Sequence, residues 1–455
     1  MNYFKVNNIV GWACFFIATL TYILTLEPTV SFWDCGEFIA SALKMQVVHQ
    51  PGAPLFLMIE RFFSIFAMGD NTKVAYFMNV GSAVASAASI LFLFWTITAH
   101  AKKILVKEGE VVSTTNLISI MGSGIVGALA YTFSDSFWFS AVEAEVYALS
   151  SLFTAIVFWG ILKWEAVANE PKADRWLLFI AYIMGLSIGI HLLNLLTIPA
   201  IAFVYYFKKT NKATSSGIFK TLGIGILILA VIQYGIIQYM VSLGAYFDLF
   251  FVNTLGLGFG TGVLFFAILL IGGLVWGIRY SIKHQKRVLN LALLSTVLVI
   301  FGYTSFAMII IRAQAKPNLN NSDPDNPFSF LSYLNREQYG DRPLITGPNY
   351  NTIPKYQENG YPVIDSGATI YRKGAEKYEV AGIKTKQVYG ITEGFPDSLK
   401  RLQRTTLFPR MYSDDARHVT YYKDMMNLGD QDVPNLFDNI GFFAKYQTGL
   451  MYMRY

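Results

Sequence analysis

The sequence has 455 residues, of which 54% are hydrophobic and only 15% are charged, and its formal net charge at pH 7 is +6. Globular domains usually carry about 25% charged residues, so this chain has more apolar residues than one soluble core can bury. The composition excludes a soluble globular protein and indicates several membrane crossings. The positive charge does not indicate a nucleic-acid partner, because most basic residues stand in short loops between apolar segments, where they set the orientation of membrane helices.

Apolar runs long enough to span a bilayer recur along the chain and predict about nine transmembrane helices. The runs are 9–26, 74–98, 116–133, 146–162, 176–190, 192–207, 218–240, 262–278 and 288–311. The first run follows Lys5, as in a signal peptide, but no cleavage site with small residues comes after it, so we expect it to be retained. The segment 54–68 carries Glu60 and Arg61 near its middle, which predicts an amphipathic helix lying along the membrane surface.

The distribution of Lys and Arg tests this assignment. If 54–68 does not span, four loops with clustered basic residues all fall on the cytoplasmic side, together with the amino terminus. These loops are 100–109, 163–175, 208–217 and 279–287. The same rule divides 176–207 into two spans, because basic groups flank both of its ends. The outer side then receives 27–73, 134–145, the turn at His191, 241–261 and the tail from Arg312.

The composition changes at Arg312. The tail is rich in Asn, Asp, Pro, Gly and Tyr and contains short strand-like pieces such as "RPLIT" and "YPVID". We therefore predict an all-α polytopic membrane domain over 1–311 and a small mixed α/β soluble domain over 312–455. The chain stops at "LMYMRY" without a helix-ending signal, which we interpret as truncation of a longer protein.

The first outer loop contains the strongest candidates for chemistry. Asp34 and Glu37 share one face if "DCGEFIASALKM" is helical. His49 opens "HQPGAPLF", where two prolines fix a rigid bend. Two interpretations of the acidic pair stay open at this point. Asp34 could cap the helix while Glu37 reaches back to it, or a carboxylate at the membrane surface could act as a general base.

Other unusual polar residues fall on the same predicted side. Glu143 and Glu145 would point to different faces of a helix, and for one of them a favourable charge in the first turn of the next span is the simpler role. His191 beside a tight turn is typical of a structural histidine. The glycines of 256–262 do not follow a predicted strand, so this segment is only a weak candidate for a phosphate-binding loop. The sequence contains no nucleophile elbow, Walker A loop, dinucleotide fingerprint or zinc spacing.

Four motifs carry a resemblance to a known family: "SFWDCGEFIASA", "HQPGAPLF", "FSDSFWFSAVEAEVYALS" and "REQYGDRPLITGPNY". They resemble the protein O-mannosyltransferase-like family of GT-C glycosyltransferases, which has Bacteroidota and animal members, and the resemblance extends over about the whole chain. It implies a polyprenyl-phosphate sugar as the donor, with mannose as the first candidate for the sugar. The acceptors would be Ser or Thr hydroxyls of exported proteins. Transfer would take place on the outer face of a bacterial inner membrane, with no cofactor besides the lipid-linked sugar substrate, while dependence on a divalent metal ion stays open.

The resemblance also implies roles for residues. Asp34 matches the catalytic aspartate of GT-C enzymes and would act as the base in an inverting displacement, with Glu37 as its catalytic neighbour. The residues expected to bind substrate are His49, Arg61, Glu143, Glu145, His191 and Asn194. The outer loops offer no clear cation for the donor phosphate, and Arg61 and Arg312 are the best candidates.

Two other functions are compatible with the sequence. A transporter or lipid flippase would also place acidic residues near a membrane face. The clustering of polar groups on one side and the lack of an internal repeat favour an enzyme. A transferase of the same fold could instead act on a glycolipid such as lipid A.

Overall fold

The computed structural model describes residues 2–107, 109–340, 342–394 and 396–453. The chain divides into two compact units, Met1–Arg336 and Glu337–Tyr455. The first unit is built of helices, and all described β-strands lie in the second. This confirms the predicted fold class, an all-α polytopic membrane protein with a small mixed α/β tail. The boundary between the compact units follows residue 336, whereas the sequence suggested a boundary after residue 311.

The first unit contains fifteen α-helices among its described residues. They are α1 (Tyr3–Leu24), α2 (Cys35–Lys44), α3 (Pro54–Ser64), α4 (Val74–Leu105), α5 (Thr114–Thr132), α6 (Asp135–Ala141), α7 (Val146–Val167), α8 (Arg175–Ile188), α9 (Ile198–Lys209), α10 (Ser215–Ala230), α11 (Met240–Asn253), α12 (Thr261–Lys283), α13 (Arg287–Tyr303), α14 (Ala307–Gln314) and α15 (Pro327–Leu334). A π-helix over Val231–Tyr239 joins α10 to α11, and a 3₁₀ segment over Leu192–Thr197 precedes α9.

Seven helical segments in the described part of the chain are long and apolar enough to cross a membrane. They are Tyr3–Leu24, Asn71–Leu105, Thr114–Thr132, Val146–Val167, Ser215–Asn253, Thr261–Lys283 and Arg287–Gln314. The predicted spans 176–190 and 192–207 are helical but shorter, since α8 has 14 residues and α9 has 12. Seven of the nine predicted spans thus correspond to helical segments of spanning length, and the other two correspond to these shorter helices.

The segment predicted to lie along the membrane surface forms α3, an 11-residue helix that begins at Pro54 and is too short to span. Its Phe56 and Leu57 are buried, whereas Arg61 is exposed. The two charged residues near the middle of this helix differ in their surroundings. The Glu60 side chain is only 1% exposed, because α3 packs it against α4 beside Gly81. Burial without a bonded partner raises the pKa of the Glu60 carboxyl well above its usual range.

Helix α4 is the centre of the first unit and packs against α1, α3, α5 and α7. Its sequence "GSAVASAAS" offers mostly small side chains, which let neighbouring helices approach closely in a membrane. Helix α1 runs antiparallel to α4, so its start meets the end of α4 and its end meets the start of α4. The two loops that hold the predicted site, 25–53 and 133–145, therefore lie at one end of this helix group.

The second unit contains an antiparallel hairpin of β2 (Ile364–Lys373) and β3 (Tyr378–Gln387), with Ile364 opposite Gln387. The two-residue strands β1 (Thr346–Gly347) and β4 (Thr406–Leu407) also pair antiparallel. Helices in this unit are α16 (Asp397–Lys400), α17 (Ala416–Met426) and α18 (Leu436–Phe442). The predicted strand pieces "RPLIT" and "YPVID" supply the starts of β1 and β2. A small core of Met411, Tyr422 and Phe442 holds this unit together.

Candidate functional site

The acidic pair of the first loop does not form a capping box. Asp34 occupies the position before α2, but its side chain accepts no capping hydrogen bond and is 55% exposed. Glu37 does not reach back toward Asp34. Its Oε1 accepts a hydrogen bond of 2.8 Å from the backbone N–H of His49. The Asp34 carboxylate is therefore available for chemistry instead of being used to start the helix.

His49 links the two carboxylates. Its Nδ1 lies 2.8 Å from Glu37 Oε2, and its Nε2 lies 3.8 Å from Asp34 Oδ2. Burial raises the pKa of Glu37, but the hydrogen bonds from His49 outweigh it and leave the pKa below its usual value. The hydrogen bond with Glu37 raises the pKa of His49 against the opposite effect of burial. These directions favour an ionised Glu37 paired with a protonated His49.

Contacts with a distant part of the chain fix the loop that carries His49. The Tyr333 hydroxyl donates a 2.6 Å hydrogen bond to the carbonyl of Val48, and Gln50 Nε2 donates to Ser322 Oγ at 2.8 Å. Gly52 has a positive φ of 80°, and an added Cβ would lie 2.5 Å from the Tyr333 hydroxyl, so this turn requires glycine. The bend read from "HQPGAP" is thus held from outside as well as by its prolines.

Arg312 takes part in the same bracing. Its Nε donates a 2.5 Å hydrogen bond to the carbonyl of Met45, and an Nη donates to the carbonyl of Lys44. These carbonyls belong to the end of α2, where cations are favourable. In the structure the Arg312 guanidinium therefore helps to hold α2 in place. The sequence analysis had suggested Arg312 as a ligand of the donor phosphate.

Glu143 and Glu145 lie in the turn between α6 and α7, outside both helices. The expectation of opposite helix faces therefore does not apply, and both side chains turn inward, being 3% and 7% exposed. Burial, followed by the charges of Asp34 and Glu143, raises the pKa of Glu145 to about 8. Burial also raises the pKa of Glu143, although hydrogen bonds with Ser31 and Cys35 oppose this. At neutral pH Glu145 can hold a proton beside the Asp34 carboxylate.

Sequence reasoning missed that the Cys35 side chain lies beside Glu143. The thiol is fully buried at the first residue of α2, and burial together with the adjacent Glu143 raises its pKa. Its position directly after Asp34 was the only signal in the sequence. We refer to Asp34, Glu37, His49, Glu143 and Glu145 as the acidic cluster.

His191 lies where α8 ends and accepts a 3.1 Å hydrogen bond at Nδ1 from the backbone N–H of Leu193. Its ring centroid is 5.6 Å from that of Tyr147, which follows Glu145 by two residues. Asn194 is fully buried, and neither atom of its side-chain amide has a hydrogen-bond partner in the described part of the chain. This buried and unsatisfied amide is unusual in a folded protein.

A groove of about 500 Å³ opens beside His191. It is lined mainly by apolar side chains, including Leu192, Leu196, Ile226 and Leu229. Burial and the charge of Arg336 lower the pKa of His191, so Arg336 brings a positive charge near this groove. The sequence analysis did not select Arg336. The other expected cation, Arg61, is exposed on α3 and bonds Ser64 Oγ at 3.1 Å.

The acidic cluster could also hold a cation. Ligand atoms of Asp34, Glu37 and His49 all lie within 4.8 Å of one another. Two carboxylates and an imidazole are suitable ligands for a divalent ion. The same atoms can satisfy each other by hydrogen bonds and charge alone, so the arrangement has two chemical uses: cation binding and proton transfer.

Comparisons with known proteins agree with the resemblance seen in the motifs. Residues 34–214 match the family model described as "Protein O-mannosyl-transferase TMEM260 N-terminal domain", and residues 340–444 match a family of unknown function, DUF8416. The matched region of the first model contains the whole acidic cluster. The resemblance is therefore confirmed for this region, while a separate family describes most of the tail.

Two curated relatives cover the same part. The chain is 25% identical over 200 residues to "Protein O-mannosyl-transferase tmem260" of Dictyostelium discoideum, covering 42% of this chain and 22% of the relative. It is 27% identical over 187 residues to "Protein O-mannosyl-transferase TMEM260" of Mus musculus, covering 41% of this chain and 23% of the relative. The match thus spans less than a quarter of each relative. No solved structure matches the chain.

Proposed function

Residues 34–214 resemble the amino-terminal domain of the protein O-mannosyltransferase-like family, and on this premise we propose that the chain is a membrane glycosyltransferase. It transfers a sugar, with mannose as the first candidate, from a polyprenyl-phosphate donor to Ser or Thr hydroxyls of exported proteins. The observation that carries this proposal is the Asp34 carboxylate, which is half exposed at the end of the helix group and free of a capping bond.

In the proposed reaction the acceptor hydroxyl oxygen attacks the anomeric carbon of the sugar. The bond from that carbon to the phosphate oxygen breaks on the opposite side, so the configuration inverts and polyprenyl phosphate leaves. Asp34 takes the proton of the hydroxyl as the new bond forms. A hydroxyl is a weak nucleophile, and a positioned base is what this step needs.

The surroundings of Asp34 support its assignment over Glu37. Both oxygens of Glu37 are engaged by His49, so Glu37 is better suited to position the imidazole than to accept a proton. A protonated His49 at 3.8 Å attracts the Asp34 carboxylate. Glu145, with its raised pKa, stays largely protonated at pH 7 and limits charge repulsion within the cluster.

The groove beside His191 is a suitable place for the lipid part of the donor. Its apolar lining matches a prenyl chain, and the positive charge of Arg336, which acts on His191 at this groove, would favour a phosphate there. Tyr147 connects the two regions, since its ring centroid lies 5.6 Å from that of His191 and it follows Glu145 by two residues. These contacts support a donor that reaches Asp34 from the membrane.

We further propose that the acidic cluster faces the outer side of a bacterial inner membrane, with the amino terminus in the cytoplasm. The support is the distribution of Lys and Arg, which concentrates in the loops at the other end of the helices. An exported acceptor protein would meet the enzyme on that outer side.

The test is transfer from a synthetic polyprenyl-phosphate mannose to a Ser/Thr peptide by the purified full chain. We expect Asp34→Asn to lower the rate by about 10²–10⁴, with an unchanged melting temperature. Glu170→Gln, an exposed glutamate in the loop before α8, is the matched control and should keep full activity. Full activity of Asp34→Asn would show that the carboxylate is not the base and would contradict the assignment.

A second arm of this experiment addresses the cation alternative. The proposed base mechanism predicts the same rate with and without EDTA. Loss of activity in EDTA, restored by a divalent ion, would instead assign Asp34, Glu37 and His49 to metal binding. Transfer to a glycolipid but not to the peptide would contradict the proposed acceptor.

A further inference from the structure

A second cavity lies at the opposite end of the same helices. Its volume is about 880 Å³, and it is lined by the start of α1, the ends of α4 and α7, and Lys208 of α9. The helix α7 has 22 residues, so this cavity is roughly 30 Å from the acidic cluster along the helix axis. It therefore cannot belong to the site around Asp34.

The rim of this cavity is basic. Five lysines and two glutamates are among its lining residues: Lys102, Lys103, Lys107, Lys163, Lys208, Glu110 and Glu165. One pair is satisfied internally, because Lys103 donates to Glu165. Glu108 lies outside the described residues, and counting it as well still leaves lysines in excess. An anionic group would balance this charge.

Aromatic rings hold two of these lysines in position. The Lys102 ammonium lies 4.8 Å from the ring centroid of Tyr3 and 5.5 Å from that of Phe4. The Lys163 ammonium lies 5.2 Å from the ring centroid of Trp159. Cation–π contacts of this kind restrict a flexible lysine, so the ammonium groups are partly preorganised around the opening.

The wall becomes apolar with depth. Trp12, Trp95 and Trp159 line the cavity below the lysines. Trp95 precedes Lys102 by seven residues of α4, which corresponds to about 10 Å along the helix axis. Tryptophan is enriched where lipid headgroups meet acyl chains. A basic rim above an indole-lined wall matches an anionic headgroup with its attached chains, and it does not match a free phosphate ion.

The need for basic residues on one side of a membrane does not fully explain this arrangement. Lys102 and Lys103 stand in the last turn of α4, where a cation is favourable without any ligand. Lys107 follows the helix and Lys163 lies within α7, yet both also line the cavity. Orientation requires only charge in the loops, not a cavity of this size with aromatic walls.

We propose that this cavity binds the headgroup of an anionic phospholipid. Basic pockets between membrane helices on the cytoplasmic side are suited to such headgroups. The bound lipid would join α1, α4 and α7 at the end opposite the acidic cluster. The proposal does not depend on the transferase activity, because the lipid is a bound component and not the sugar donor.

The experiment is native mass spectrometry of the purified full chain titrated with phosphatidylglycerol and, in parallel, with phosphatidylcholine. We expect phosphatidylglycerol to bind at least about tenfold more tightly. The triple variant Lys102→Gln, Lys107→Gln, Lys163→Gln should lose this preference. The corresponding triple variant to Arg should keep it, which separates loss of charge from failure to fold.

The matched control removes the same charge from the same end of the helices but outside the cavity. Lys172, Lys212 and Lys283 are exposed there, and their replacement by Gln should leave binding unchanged. Equal loss in this control would mean attraction to surface charge in general and would overturn the proposal. Displacement of the lipid by glycerol 3-phosphate at equal concentration would identify a soluble phosphate ligand and overturn it as well.

Discussion

The two ends of the central helix group are chemically opposite. At the end where α4 and α7 begin, five titratable groups form the acidic cluster, and two glutamates of this cluster are buried with raised pKa values. At the end where the same helices finish, lysines and aromatic rings surround a cavity. This difference supports the two separate proposals, proton transfer at the acidic end and anion binding at the basic end.

The two ends also differ in how they are assembled. At the basic end, most lining residues come from consecutive turns of α4 and from the starts and ends of other helices. The acidic end depends on loops, since Asp34, His49 and Glu143 all lie outside helices. Residues on regular helices are placed by periodicity, whereas loop residues are placed by whatever braces the loop.

The largest expected effect is an all-or-none difference in cysteine labelling, which reports the orientation of the chain in the membrane. In a chain whose buried Cys14 and Cys35 are replaced, single cysteines at Thr29 and Glu358 should react with an impermeant maleimide on intact cells. A cysteine at Lys212 should react only after the membrane is opened. The reverse pattern would place the acidic cluster in the cytoplasm and contradict the proposed site of transfer.

Glu37→Gln should lower sugar transfer by about 10- to 100-fold, less than Asp34→Asn. The glutamine can still accept a hydrogen bond from the His49 backbone, but the charge that favours a protonated imidazole is lost. Initial rates on the same peptide would measure this, with Glu170→Gln as control. A loss as large as that of Asp34→Asn would mean that Glu37 shares the role of base.

The pair of Glu37 and His49 predicts a stability that depends on pH. The folded pKa of His49 is raised, so its stabilisation is present below about pH 6.5 and lost as the pH rises through the folded value. The folded pKa of Glu37 is lowered, so its stabilisation is present above about pH 4.5 and lost at lower pH.

His49→Gln should therefore lower the melting temperature most between about pH 4.5 and 6.5, by roughly 2–4 °C. The difference from the unchanged chain should shrink toward pH 8. Thermal unfolding in detergent at a series of pH values measures it. A difference that is constant with pH would show that the imidazole contributes only by packing.

The smallest effect is expected for Glu60 on α3, with the opposite sign. Its folded pKa is raised by burial, so the carboxyl costs stability as the pH rises above about 4.5. Glu60→Gln should raise the melting temperature by roughly 1–3 °C at pH 8 and have no effect at pH 4. A lower melting temperature of Glu60→Gln at pH 8 would instead mean that Glu60 is ionised and stabilised by a partner.

Much of the helical framework could be predicted from the sequence because apolar runs and basic loops are local signals. Each of the nine runs is helical in the structure, and 54–68 was correctly excluded as a span. The lengths of α8 and α9 were not predictable, since an apolar run continues through Gly189 and His191 while the backbone does not remain α-helical.

The candidate site was predictable as a set of residues but not as an arrangement. The pairing of Glu37 with His49 crosses a loop, and the bond from Arg312 to Met45 joins residues 267 positions apart. Such contacts leave no periodic pattern. For the same reason the sequence could not show that Glu60 is buried or that Glu143 and Glu145 turn inward together.

The bond from Tyr333 to Val48 has a consequence for biosynthesis. The two residues are 285 positions apart, and ribosomes add roughly 5–20 residues per second. The loop with His49 therefore emerges roughly 15–60 s before the residue that braces it. During that interval α2 and its two carboxylates are already made, but the loop lacks its final support. The loop that carries His49 is therefore translated well before the residue that completes its support.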